Sequence, residues 1–255
     1  RLLNNLCICF SIAALCSLIF CGCGNKAVKK NYWKIAERYE KHGKYRKAVG
    51  AYKKVIENDP ENAEAHFRVA YFYYLLEDYT NAEEYFQRTI DLDNTYLKAY
   101  ANLGALYLKD GWLRRGESTL KESFDVGTDN FFVYVNLARV EFEKRNLDKA
   151  IEYYQKALKL RDDYPDVYFN LGVVYIQKGD YQKAVEVLEK AAEKDPFYPN
   201  VYTLLAYIHE ERGDIERAIR FWKKRADYGG ERDPMTRSAR EHYRDLLSQD
   251  YGKEQ

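Results

Sequence analysis

Residues 165–198 read PDVYFNLGVVYIQKGDYQKAVEVLEKAAEKDPFY, and the rest of the chain repeats this stretch in outline. Tyr168, Leu171, Gly172 and Tyr175 fall three or four residues apart, the spacing that places side chains on one face of a helix. Lys178-Gly179-Asp180 supplies a turn, with Gly free to take a left-handed helix cap. Ala184, Leu188 and Ala191 form the stripe of a second helix. Asp195-Pro196 ends that helix, because Pro cannot continue it. The stretch is a helix–turn–helix unit of 34 residues.

The same unit recurs with a fixed step of 34 residues. Small residues occupy Ala36, Ala70, Gly104, Ala138, Gly172 and Ala206, and again Ala48, Ala82, Gly116, Ala150, Ala184 and Ala218. Large residues keep the same phase at Ile35, Val69, Leu103, Leu137, Leu171 and Leu205, and at Tyr52, Phe86, Leu120, Tyr154, Leu188 and Trp222. Six units result: 29–62, 63–96, 97–130, 131–164, 165–198 and 199–232. The small residues let helix backbones approach where a larger side chain would wedge them apart. One unit cannot bury its stripe alone, so neighbours must stack into a solenoid. Glu77 and Arg145 stand in for the turn Gly, Glu141 for the usual Tyr, Gly116 for Ala, and Arg225 for a small residue. Each is expected to weaken its unit locally; Gly in a helix costs about 1 kcal/mol relative to Ala. Residues 233–255 are not a seventh unit. Asp233-Pro234 fits a helix start, after which Met235, Ala239, Tyr243, Leu246 and Leu247 are expected to cover the last unit, with Arg237, Arg240, Glu241 and Arg244 in water. The segment reads as a capping helix with a frayed tail.

The residues Tyr168, Leu171-Gly172, Tyr175, Gly179, Tyr181, Ala184, Leu188, Ala191 and Pro196 carry a resemblance to the tetratricopeptide repeat. The resemblance covers about four-fifths of the chain and implies an all-α, right-handed superhelix of six repeats plus the capping helix. It also implies that the first helix of each pair lines a concave groove that binds peptides or partner helices. The subtype that clamps acidic chaperone tails needs Lys and Asn in one first helix, Asn in the next, and Lys with Arg in the one after. No three successive units provide that set.

Beside the core stripe, several first helices carry a second apolar stripe at i, i+4, i+7. It comprises Phe67, Tyr71 and Tyr74; Ala101, Ala105 and Leu108; Val135 and Phe142 with Arg139 between them; and Phe169, Val173 and Ile176. The ends are polar, with Trp33, Glu37 and Glu40 in the first unit and Thr203, Tyr207 and Glu210 in the sixth. Asn102, Asn136 and Asn170 recur at one position, where an amide can bond a peptide backbone without reading side chains. A contiguous apolar patch marks an interaction site. The expected occupant is an amphipathic helix or apolar peptide. Self-association through this face or the cap, as an accessory subunit of an envelope assembly or secretion complex, is the alternative.

Composition narrows the field further. Lys and Arg number 41 against 40 Asp and Glu, without the basic excess of a nucleic-acid binder. All five Cys lie at or before Cys23, which excludes a disulfide scaffold or a zinc ribbon from the repeats. His42, His66, His209 and His242 are scattered without ligand spacing, and His66 and His209 fall on the core stripe. No phosphate loop, nucleophile elbow or HExxH motif is present. The expectation is a non-enzymatic protein with no cofactor, no metal and no small-molecule substrate.

Leu6–Phe20 is uncharged and apolar, a length suited to the core of a signal peptide rather than to a spanning helix. Phe20-Cys21-Gly22-Cys23-Gly24 resembles the lipobox of bacterial lipoproteins, which implies lipid attachment at Cys23; Phe20 and Cys21 depart from the usual pattern. The segment 1–23 is then a signal and 24–28 a short tether. The localisation implied is the cell envelope, membrane-anchored through the lipid, with an uncleaved N-terminal anchor as the alternative. Lys26, Lys29, Lys30 and Lys34 follow at once; either they each contribute about 1 kcal/mol against an anionic leaflet, or they form a solvated, positively charged flank.

Overall fold

The repeating stripes fold as expected into helices. The structure is a computed structural model that describes residues 31–126 and 129–251. The described residues form two compact units that meet in sequence after Thr128. In the first, α1 spans 31–41, α2 Tyr45–Asn58, α3 Ala63–Leu75, α4 Tyr79–Leu92, α5 Leu97–Lys109 and α6 Leu113–Asp125. In the second, α7 spans Phe131–Glu143, α8 Leu147–Leu160, α9 Pro165–Lys178, α10 Tyr181–Lys194, α11 Pro199–Glu211, α12 Ile215–Tyr228 and α13 Pro234–Tyr251. No strand occurs among the described residues. Consecutive helices pack as pairs, α3 on α4 and α5 on α6, α7 on α8, α9 on α10 and α11 on α12, and each pair also touches the next within its unit.

The caps follow from local chemistry. Asp78, Asp180 and Asp214 accept the backbone N–H of Asn81, Lys183 and Arg217, satisfying donors that the helix start leaves open. Gly179 takes φ of +80° at the end of α9. Glu77 and Arg145 hold the same left-handed turn, at +61° and +64°, so the turn survives without Gly and the cost stays local. Glu141 is buried, and its carboxylate accepts from Asn146 Nδ2 at 2.7 Å and Lys144 Nζ at 3.0 Å.

The small-residue series has a finer rule. A Cβ built on Gly104 would lie 2.5 Å from Leu120 Cγ, and one on Gly172 would lie 2.7 Å from Leu188 Cγ and Cδ2. Gly thus faces a branched Leu on the second helix. The four repeats with Ala at this position instead oppose it with the flat rings of Tyr52, Phe86, Tyr154 and Trp222. A planar ring leaves room for one methyl group where Leu does not.

Two expectations about the C-terminal segment need correction. Arg225 does not weaken its helix. It is 2% exposed and donates to Thr203 Oγ1 at 3.0 Å, to Thr236 Oγ1 at 2.7 Å and to the Asp233 carboxylate. It therefore fastens the start of α13 to α12. Met235 is half exposed, and Thr236 takes the buried place beside Arg225; Ala239 and Leu246 complete the buried face. Asp233 caps α13 by accepting the Met235 N–H at 3.0 Å. No helix among the described residues is long and apolar enough to cross a membrane. Cys23 and the leader expected at 1–23 lie outside the described residues.

Candidate functional site

In the second unit, the stripe beside the core falls on α7, α9 and α11. Val135, Phe142, Phe169, Val173 and Ile176 are half-buried, the state of apolar side chains seated on a core with one face open. Arg139 and Tyr207 are exposed. Arg139 forms no ion pair with any described residue, although its charge reaches the buried Tyr154 phenol behind α7. Burial raises the Tyr154 pKa, and the Arg139 charge opposes that rise.

The three Asn of the recurring position behave differently. Asn102 Nδ2 donates to its own helix at Lys98 O, 2.7 Å away. Asn136 is buried, enclosed with Val133 and Val140 on the same helix face, contrary to its expected place on an open face. Asn170 is half-buried, and its amide makes no hydrogen bond to another described residue. Arg139 and Asn170 thus leave an unpaired cation and an unpartnered amide among the apolar residues of α7 and α9.

In the first unit the stripe is more closed. Phe67 is 8% exposed, packed on Phe86 at 5.8 Å and Tyr96 at 5.0 Å between ring centroids, so it belongs to the core and not to an open face. Tyr71 and Tyr74 are half-buried against the same core, and Leu108 is half-buried. Lys109 lies over the Tyr74 and Tyr79 rings.

Tyrosines that precede α5, α9 and α11 also border the stripe. Tyr96 packs on Phe67, Tyr164 on Phe131 and Phe132, and Tyr198 on Phe169 at 5.4 Å. Tyr198 donates to Asp166 at 2.7 Å and Tyr96 to Glu64. Burial first, then these carboxylates, push both phenols well above their ordinary pKa. The sequence reading passed over them, although Tyr96, Tyr164 and Tyr198 keep the 34-residue step.

The polar ends have a structural cause. Glu40 accepts from Tyr52 at 3.0 Å and from Arg68 at 2.9 Å. Glu210 accepts from Trp222 at 3.0 Å and pairs with His242 of α13 at 2.9 Å. In each end repeat a carboxylate replaces the apolar residue of the stripe and is tied to the next helix. His66 and His209 are buried; His66 Nε2 lies 3.0 Å from Pro60 O, and His209 stacks on Phe221 at 5.5 Å. Burial lowers the His66 pKa. A cleft of about 680 Å³ in the first unit is lined by His66, Glu83, Tyr85, Arg88, Tyr107 and Arg115 and includes none of the stripe residues. No cluster of three metal-binding side chains occurs among the described residues.

Stacked helix pairs with a 34-residue period and an open stripe on the first helices define a repeat scaffold. Family models described as tetratricopeptide repeat match residues 34–96, 141–208 and 176–224, together more than half of the chain. The chain belongs to the tetratricopeptide repeat family. No functionally curated protein sequence matches it. Among solved structures it is similar to pilF of Pseudomonas aeruginosa, at 19% identity and a TM-score of 0.69, over 79% of this chain and 91% of that one. It is similar to PilW, a type IV pilus biogenesis factor, at 15% identity and a TM-score of 0.73, over 83% of this chain and 97% of that one. YrrB, described as having an unusual peptide-binding site, matches at 19% identity and a TM-score of 0.57, over 74% of this chain and 96% of that one. These likenesses are of fold.

Proposed function

We propose that this protein is a non-enzymatic scaffold, tethered to a bacterial envelope membrane, whose second unit binds a peptide or amphipathic helix along the first helices of its repeats. The carrying observation is the unpaired Arg139 and unpartnered Asn170 set among Val135, Phe142, Phe169, Val173 and Ile176. Half-buried apolar residues supply area, the amide bonds a backbone group, and the cation favours an acidic residue on the partner. Tyr207 extends the face onto α11, and Tyr71, Tyr74, Asn102 and Leu108 offer a lesser face in the first unit. The right-handed superhelix typical of the family would make these faces concave. The pilus-related and peptide-binding neighbours agree with an assembly role without naming the partner.

A displayed library of random peptides tests the binding face. The expected hits carry apolar residues at i, i+3 or i+4, and i+7 with an acidic residue beside them. Their binding is lost in Ile176→Glu and weakened in Arg139→Glu, and persists in Lys190→Glu on α10. Hits indifferent to Ile176→Glu, in a variant that still folds, reject the assignment. The tether rests on the lipobox resemblance at Cys23 and is tested by intact mass of the membrane-extracted protein. A chain starting at Cys23 with added acyl mass, absent in Cys23→Ala, is expected; an unmodified chain that keeps Leu6–Phe20 favours the uncleaved anchor.

A further inference from the structure

The first repeat gathers exposed cations at the start of its second helix. Where α4, α10 and α12 begin with the capping residues Asp78, Asp180 and Asp214, α2, like α6 and α8, begins without a side-chain cap, and the residue before it is Lys44. Arg46 and Lys47 follow in the first turn of α2, which holds no acidic residue. Cations at a helix N-terminus oppose its dipole, so the arrangement is unfavourable within the protein itself. On α1, Lys34, Arg38 and Lys41 lie at i, i+4 and i+7, along one face leading into the same turn. All six cations are exposed, and none has an acidic partner among the described residues. The two acids of α1 are engaged elsewhere: Glu37 accepts from Trp33, and Glu40 from Tyr52 and Arg68.

The charge is segregated along the whole sequence. Residues 31–54 contain eight Lys and Arg against two Glu, whereas residues 55–255 contain 29 against 38. The net charge of +1 therefore hides a basic first repeat followed by an acidic remainder. A local charge unfavourable to its own helix and without an acidic partner in the fold calls for a counter-charge from outside.

We propose that the α1–α2 turn of the first repeat docks on anionic phospholipid headgroups. The position in sequence selects lipid over an acidic protein. In sequence, Lys34 follows Lys26, Lys29 and Lys30, and Lys41 lies only 18 residues after Cys23. Basic residues held near a membrane act within about a Debye length, roughly 8–10 Å at ordinary salt. Docking would fix the orientation of the first repeat on the bilayer. The inference rests on the membrane-tether reading above, and the test separates the two.

The full chain is added from detergent to preformed vesicles of phosphatidylcholine alone, or of phosphatidylcholine with phosphatidylglycerol. Flotation reports the tether, and amine-reactive footprinting reports docking, with Lys190 and Lys223 as internal references. The expected result is flotation with both vesicles, and reactivity of Lys34, Lys41, Lys44 and Lys47 lowered about fivefold or more only with phosphatidylglycerol. The protection disappears at about 1 M salt, where screening confines charges to roughly 3 Å. In Lys44→Gln/Arg46→Gln/Lys47→Gln, whose replaced side chains are exposed and have no acidic partner among the described residues, Lys34 and Lys41 regain the reactivity seen with neutral vesicles. Flotation with both vesicles and equal lysine reactivity in both overturns docking and keeps the tether. Flotation only with phosphatidylglycerol, reversed by salt, keeps docking and overturns the tether. Protection that requires an added acidic protein and not anionic lipid overturns docking on the membrane.

Discussion

Gly172→Ala is expected to destabilise the second unit although Ala is the better helix former. The new Cβ would sit 2.7 Å from both Leu188 Cγ and Cδ2, inside any real carbon–carbon contact. Relief requires Leu188, buried in the core, to leave its rotamer or α9 and α10 to part. Overpacking of this kind costs about 1–3 kcal/mol, against a gain of about 1 kcal/mol in helix propensity. The net expectation is a loss of about 1 kcal/mol, or about 0.5 M in urea midpoint for a slope near 2 kcal/mol/M. Repacking offers a check specific to the mechanism. Gly172→Ala with Leu188→Phe recreates the pairing of Ala70 with Phe86, and should recover stability beyond the sum of the single changes, with a coupling of about 1 kcal/mol. Urea denaturation followed by far-ultraviolet circular dichroism gives all four corners of the cycle. If Gly172→Ala alone is as stable as the parent, or gains the propensity increment, the close-approach reasoning fails.

Other perturbations follow from single contacts. Arg145→Gly should raise stability by about 0.5–1 kcal/mol, because Arg145 sits at φ of +64° where Gly carries no Cβ penalty; an unchanged urea midpoint would count against strain there. Arg225→Ala should cost about 2–3 kcal/mol by stranding Thr203, Thr236 and the partly hydrated Asp233, less than a fully buried pair would lose. Hydrogen exchange should then accelerate selectively in α13, and uniform acceleration across the second unit would contradict the fastening role. His66 has a lowered pKa from burial, so the unfolded chain binds its proton at higher pH than the folded one. Its stability contribution is present above about pH 6.5 and is lost as pH falls from there through the folded pKa. His66→Tyr should flatten the stability–pH slope just below pH 6.5, since Tyr202 already makes the equivalent bond to Pro196 O at 2.8 Å; an identical slope in the variant would refute the attribution.

The helices were legible because the 34-residue step puts small, large and turn residues in fixed phase. What the step could not convey was anything set by partners outside the phase. Arg225 reads as a defect within its repeat, and its role emerges only from Asp233 and Thr236 in a segment that does not repeat. Helical spacing places Phe67 on a second face, but spacing is blind to Tyr96, which returns from the end of the same repeat, just before α5, and covers it. Asn102, Asn136 and Asn170 are equivalent in sequence and differ in the fold, one bonded to its own helix, one buried and one with an unpartnered amide. The polar ends were legible as Glu40 and Glu210, whereas their tie to Arg68 and His242 required the packing of neighbouring helices.

The central claim is that the first-helix face of the second unit meets a partner. Photo-crosslinking in intact cells tests it most directly, with p-benzoylphenylalanine placed in turn at Ile176, at Tyr207 and at the exposed Lys190 of α10. One discrete adduct shared by the probes at positions 176 and 207, weakened by Arg139→Glu, and none from position 190 is expected. A discrete adduct from position 190 with none from 176 and 207 would place the partner on the opposite helices and contradict the account.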